Sequence, residues 1–206
     1  MKLRKELQLR PKRMRIRIGL SMLLFSAVII ALDPQMALPC FAAALFHECG
    51  HLLFAVLLHV PLSEMKLDLL GARIGVSSGL ISYRAEFFLC AGGPLFSFLL
   101  GAFLSHLHFR GLLPGAGGFC LNLRDSSIFL GALNLLPVRG FDGARMLSAV
   151  LSVLFSDRIS DLADRFFTGV FLILLWGISV YLLLISGSGL TLFTFSVALF
   201  WKVFLG

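Results

Sequence analysis

Residues Phe41 to Val60 read FAAALFHECGHLLFAVLLHV, and the middle of that run governs how the rest of the chain is read. It is long enough to cross hydrocarbon, which takes about 20 apolar residues. At its centre stand His47, Glu48 and His51. Hydrocarbon does not solvate ionisable groups, so such residues at mid-span need partners and by default mark a functional site. Four positions apart on a helix, the two imidazoles share a face and can reach a single metal ion. Glu48 follows His47 directly and leans toward the same place.

H-E-x-x-H on a helix is the pattern in which two histidines hold zinc and the glutamate acts as base toward an activated water, as in metalloproteases. A catalytic zinc takes three protein ligands and keeps one position open. The third ligand must come from elsewhere in the chain. Asp142 is the best candidate, because it is an acid at a break in a membrane segment. Asn134, at the near side of the same break, has two readings. Its amide can donate to substrate or a developing oxyanion, or it can satisfy carbonyls freed where the helix stops.

Composition agrees with a membrane setting. Of 206 residues, 58% are hydrophobic and 14% charged, far from soluble averages of about 45–50% and 25%. The lipid bilayer is therefore the expected surrounding of this integral membrane protein. The net charge of +7 could suggest nucleic acid, but the basic residues crowd into Lys2, Arg4, Lys5, Arg10, Lys12, Arg13, Arg15 and Arg17. That is a juxtamembrane arm suited to topology and anionic lipid, so no nucleic-acid partner is expected. No small-residue cleavage site follows the first apolar run, and the arm, residues 1–17, is read as retained. Cys40, Cys49, Cys90 and Cys120 are scattered, without a C-x-x-C pair, and read as packing residues.

The chain in order predicts an all-α polytopic membrane protein with about six transmembrane helices, a short membrane-associated β-hairpin after the second, and a broken fourth helix. The spans expected are 18–32, 41–60, 87–107, a half-span at 126–136 continued by 143–155, then 166–185 and 190–205. Two prolines make 33–39 a turn. Alternation with a glycine between the runs argues for the hairpin over 62–76, whose outer edge could hold an extended substrate. Ala91-Gly92-Gly93-Pro94 lets helices approach closely. Residues 106–125 read as a loop. With the N-terminus inside, only Arg110 and Arg124 are left for the outer face, which places both termini in the cytoplasm. Residues 18–206 read as one transmembrane domain.

The combination of HECGH in the second span, AGGP opening the third and NLLPVRGFDGARML after a half-span resembles the site-2 protease family of intramembrane zinc metalloproteases. Within it, the small six-span layout with a basic arm is similar to the bacterial stage IV sporulation protease branch, which implies a bacterial plasma membrane. The resemblance implies that His47, His51 and Asp142 ligate zinc, that Glu48 is the base, and that Asn134 with Pro137 lies near the substrate. It also implies a membrane-embedded sheet that receives substrate. Two positions depart from the family: Ser97 stands where an asparagine is common, and Ala144 where a second glycine often follows Asp-Gly. No PDZ domain is inserted, so the expected control is a membrane regulatory partner, a homo-oligomer or prior cleavage of the substrate.

The expected function is intramembrane zinc-dependent proteolysis of a membrane protein substrate. Two other readings stand beside it: an inactive relative that binds membrane segments, and a metal transporter with an intramembrane His/Asp site. Transporters show repeated halves and several polar residues along a path, whereas acids are scarce in the other spans here.

Overall fold

Helix α1 (Pro34–Leu57) is built inside out compared with a helix of a soluble protein. Its buried positions are Ala37, Pro39, Ala43, His47, Gly50, His51 and Ala55, while Leu45, Val56 and Leu57 are exposed. Lipid solvates large aliphatic side chains as well as a core does, so small and polar residues form the packing face. Pro34 occupies the first helical position, where its missing N–H costs nothing. The expected turn at 33–39 is thus the opening of this helix, from residue 34 on. The other end is a Schellman cap. His59 takes φ 53°, its N–H donates to Val56 O and that of Val60 to Ala55 O, and Pro61 prevents continuation.

The computed structural model describes residues 15–18, 34–60, 62–68, 71–76, 81–112, 117–186, 193–194, 196–197 and 199–200. The remaining elements are strands β1 (Arg15–Ile18), β2 (Leu62–Asp68) and β3 (Gly71–Val76) and helices α2 (Tyr83–Phe109), α3 (Gly117–Asn134), α4 (Asp142–Leu154) and α5 (Asp157–Ser186). The strands form one sheet in the order β1-β2-β3. β1 runs parallel to β2, pairing Arg15 with Glu64 and Ile18 with Leu67. β3 runs antiparallel to β2, with a register irregularity between Leu62 and Glu64.

These elements correct the predicted fold class. Instead of six transmembrane helices, the described residues hold five helices. Three of them are long and apolar enough to cross a membrane: α1, α2 and, over Asp157–Ile185, α5. Nor is the protein all-α with a separate two-stranded hairpin, because part of the basic arm adds a parallel strand and makes a three-stranded sheet. The expected fourth span is also misjudged. Rather than a half-span, α3 has 18 residues, since Arg124 and Asp125 pair with each other through an Nε to Oδ1 contact of 2.7 Å and are carried in the helix. Most of the first and last expected spans lies outside the described residues.

Helix α2 is the hub, packed against α1, α3 and α4. Ser82 caps it by accepting from Ala85 N–H at 3.2 Å, and Glu86 in its first turn complements the helix dipole. Close approach depends on glycine. A Cβ on Gly50 would collide with the Gly92 carbonyl oxygen, and one on Gly92 would meet Gly50 O at 2.7 Å, so α1 and α2 touch backbone to backbone. Farther along, a Cβ on Gly131 of α3 would stand 3.0 Å from that of Ser97.

Candidate metal centre

Between α3 and α4 the chain breaks over residues 135–141, and the freed backbone is satisfied locally. Leu136 N–H donates to Leu133 O and Phe141 N–H to Val138 O. Gly140 turns the chain at φ 100°, a conformation that favours glycine. Arg139 moors the loop to α5, its N–H donating to Thr168 Oγ1 at 2.9 Å and its Nε to Asp164 Oδ2 at 2.5 Å. Val138 and Phe141 are buried against Leu172 and Leu199. Gly143 completes the return, since a Cβ there would overlap the Leu135 carbonyl. This loop delivers Asp142, at the first turn of α4, to the histidine pair on α1.

The atoms that meet there form a near-equilateral triangle. His47 Nε2 and His51 Nε2 are 3.2 Å apart, and Asp142 Oδ2 is 3.2 Å from each of them. Their residues are only 2%, 4% and 9% exposed, so water does not separate these groups. His51 Nδ1 sits 2.8 Å from the Leu89 carbonyl oxygen, which can only accept. The proton of the neutral ring is therefore on Nδ1, and Nε2 turns a lone pair toward the other two atoms. His47 Nδ1 stands 2.8 Å from Ser97 Oγ, a hydroxyl able either to accept from the ring or to donate to it.

Three such atoms facing one another in a buried pocket repel unless a shared proton or a metal cation lies among them. Ligands at about 2.0–2.1 Å in tetrahedral arrangement would be about 3.3 Å apart, close to the observed edge. The residues present thus fit a divalent metal ion. Gly93 forms the floor: a Cβ there would strike His51 Nε2 and lie 2.5 Å from His47 Nε2.

Glu48 brings a second carboxylate, its oxygen within 4.8 Å of ligand atoms of His47 and His51. Cys49, by contrast, is exposed and turned off the packed face. Asn134 is buried, and its Nδ2 donates to Leu130 O at 3.0 Å within its own helix. Sequence reasoning missed the partners of the imidazoles. Ser97 drew notice only as a departure from the family pattern, and the Leu89 carbonyl carries no side-chain signal. Gly92 and Gly93 were read as helix-packing residues, whereas Gly93 also makes room for both rings.

No family model matches this sequence, and no curated protein matches it. Among solved structures, the Site-2 Protease from Methanocaldococcus jannaschii is similar, with a TM-score of 0.66 and 22% identity over 92% of this chain and 89% of that one. At that identity the likeness is one of fold: this chain has the fold of a site-2 protease.

Proposed function

We propose that this chain is an intramembrane zinc metalloendopeptidase that hydrolyses a peptide bond in or beside a transmembrane segment of another membrane protein. The observation that carries the proposal is the buried triangle of His47 Nε2, His51 Nε2 and Asp142 Oδ2, with the Glu48 carboxylate beside it. Two nitrogens and one carboxylate oxygen form a ligand set of catalytic zinc. The cation would be held by His47, His51 and Asp142, and when bound it supplies Lewis-acid chemistry, polarising a carbonyl and acidifying water.

The chain's own groups do the rest. Glu48 takes a proton from the attacking water and passes it to the leaving amine nitrogen, so no covalent acyl-enzyme is needed. The packed backbones of α1 and α2 keep bulk water from the buried triangle. Asn134 holds the end of α3 through Leu130, and the rest of its amide can position the substrate backbone or donate to a developing oxyanion. Among the described residues β3 is paired on one side, with β2, and an extended substrate segment can add to its other side. Both termini face the cytoplasm of a bacterial cell, and access is governed by a membrane partner or by prior trimming of the substrate. Kinship with the sporulation branch rests on the sequence motifs and the basic arm.

The test is incubation of the protein in lipid nanodiscs with a panel of tagged single-span membrane segments, with products read by mass spectrometry. Cleavage by the unchanged protein, absent in Glu48→Gln and in Asp142→Asn, is the expected result. Segments bound but cut by no form would identify an inactive relative, and equal cleavage by Glu48→Gln would defeat the mechanism.

A further inference from the structure

Helix α2 contributes more to the histidine pair than a floor. Leu89, Gly93 and Ser97 recur every fourth residue along it and so lie on one face. Each meets the pair differently. The Leu89 carbonyl oxygen holds His51 Nδ1 at 2.8 Å, Gly93 passes beneath both Nε2 atoms, and Ser97 Oγ stands 2.8 Å from His47 Nδ1. His51 pairs with the earlier residue of α2 and His47 with the later one, as antiparallel helices require. Both imidazoles thus take their outer partner from the same helix, and both point Nε2 inward.

We infer that Ser97 is a positioning residue for the metal centre, its hydroxyl holding the His47 ring so that Nε2 faces His51 and Asp142. The inference rests on the proposed metal site and adds a residue to it. Ser97 is wholly buried, and no other hydrogen-bond partner of His47 Nδ1 stands among the described contacts. The far side of Ser97 is closed by α3, where even a methyl on Gly131 would come within 3.0 Å of its Cβ. Removing the hydroxyl leaves His47 Nδ1 without a bond in a place too tight for the helices to rearrange. The ring then loses the contact that sets its tilt. Outer partners of this kind typically govern metal affinity by 10–100-fold when lost. A carbonyl fixes His51 through the backbone and cannot be mutated away, so Ser97 is where side-chain chemistry can tune the site.

The experiment compares the unchanged protein with Ser97→Ala in detergent. Zinc affinity is measured by competition with a chromogenic chelator, cobalt coordination by its visible absorption, and folding by the unfolding midpoint of the metal-free protein. Ser97→Ala should bind zinc about 10–100-fold more weakly and give an altered cobalt spectrum, with the metal-free midpoint lowered by no more than the few degrees that one lost buried hydrogen bond costs. Equal zinc affinity in Ser97→Ala would overturn the inference, as would an unaltered cobalt spectrum or a collapse of the metal-free fold large enough to explain the zinc loss by itself. A failure of the unchanged protein to bind zinc or cobalt would instead overturn the metal site itself.

Discussion

The Oδ2 atom of Asp142 lies 3.2 Å from Nε2 of His47, across 95 residues of chain. Only a helix interrupted and turned by residues 135–141 brings the two together. Zinc at about 100 times its dissociation constant should stabilise the folded protein by about 2.7 kcal/mol. Asp142→Asn, which loses the anionic ligand, should remove most of that gain, as should a chelator acting on the unchanged protein. Thermal unfolding with and without zinc checks both, and a full zinc response in Asp142→Asn would exclude the carboxylate as a ligand.

Gly93 carries the pair of rings on bare backbone. In Gly93→Ala the new methyl must displace both imidazoles or separate α1 from α2, and overpacking of this kind costs about 1–3 kcal/mol. Loss of stability together with loss of stoichiometric zinc, measured by elemental analysis, is the expected outcome. A variant that keeps one zinc per chain and its unfolding midpoint would show that the approach is looser than described.

Arg145 reaches Glu86 with Nη2 at 3.2 Å and Nε at 3.3 Å. The pair joins the first turn of α2 to α4 one turn beyond Asp142, so it clamps the acid over the histidines. Both side chains are about a third exposed, at 35% and 28%, which limits the coupling to about 1 kcal/mol. A double-mutant cycle with Glu86→Gln and Arg145→Met measures it. Additive effects of the two changes would show that the clamp contributes nothing.

Cys40 Sγ on α1 lies 3.5 Å from Ser126 Oγ on α3. Replacing that oxygen with sulfur brings two thiols near the separation a disulfide can close. In a background with Cys49→Ser, Cys90→Ala and Cys120→Ser, Ser126→Cys should cross-link to Cys40 under mild oxidation. The cross-link is read after proteolytic cleavage between the helices as a pair of fragments that separate only on reduction. Fragments free before reduction would contradict this packing of α1 on α3.

Some of the architecture is legible in the residues alone. Apolar run length and the basic arm identify a membrane protein, and the four-residue spacing of His47 and His51 places both rings on one face, because helical period is a local property. Pro137 and Gly140, between Asn134 and Gly143, mark the break for the same reason. Helix ends were harder to read. The polar pair Arg124 and Asp125 made the start of α3 look like a loop, although the two side chains satisfy each other. The basic residues of β1 concealed a strand that exists through pairing with β2, far along the chain.

What the sequence by itself determined, then, is the chemical repertoire: two imidazoles and a carboxylate on one membrane helix, and a second acid beside a helix break. Tertiary structure alone decided that Asp142 meets both rings at 3.2 Å and that Leu89 and Ser97 orient them. The division follows from range. Helical periodicity acts over a few residues and leaves a pattern in the string of letters. The convergence of α1, α2 and α4 depends on glycine contacts between distant segments, and those contacts exist only once the helices have packed.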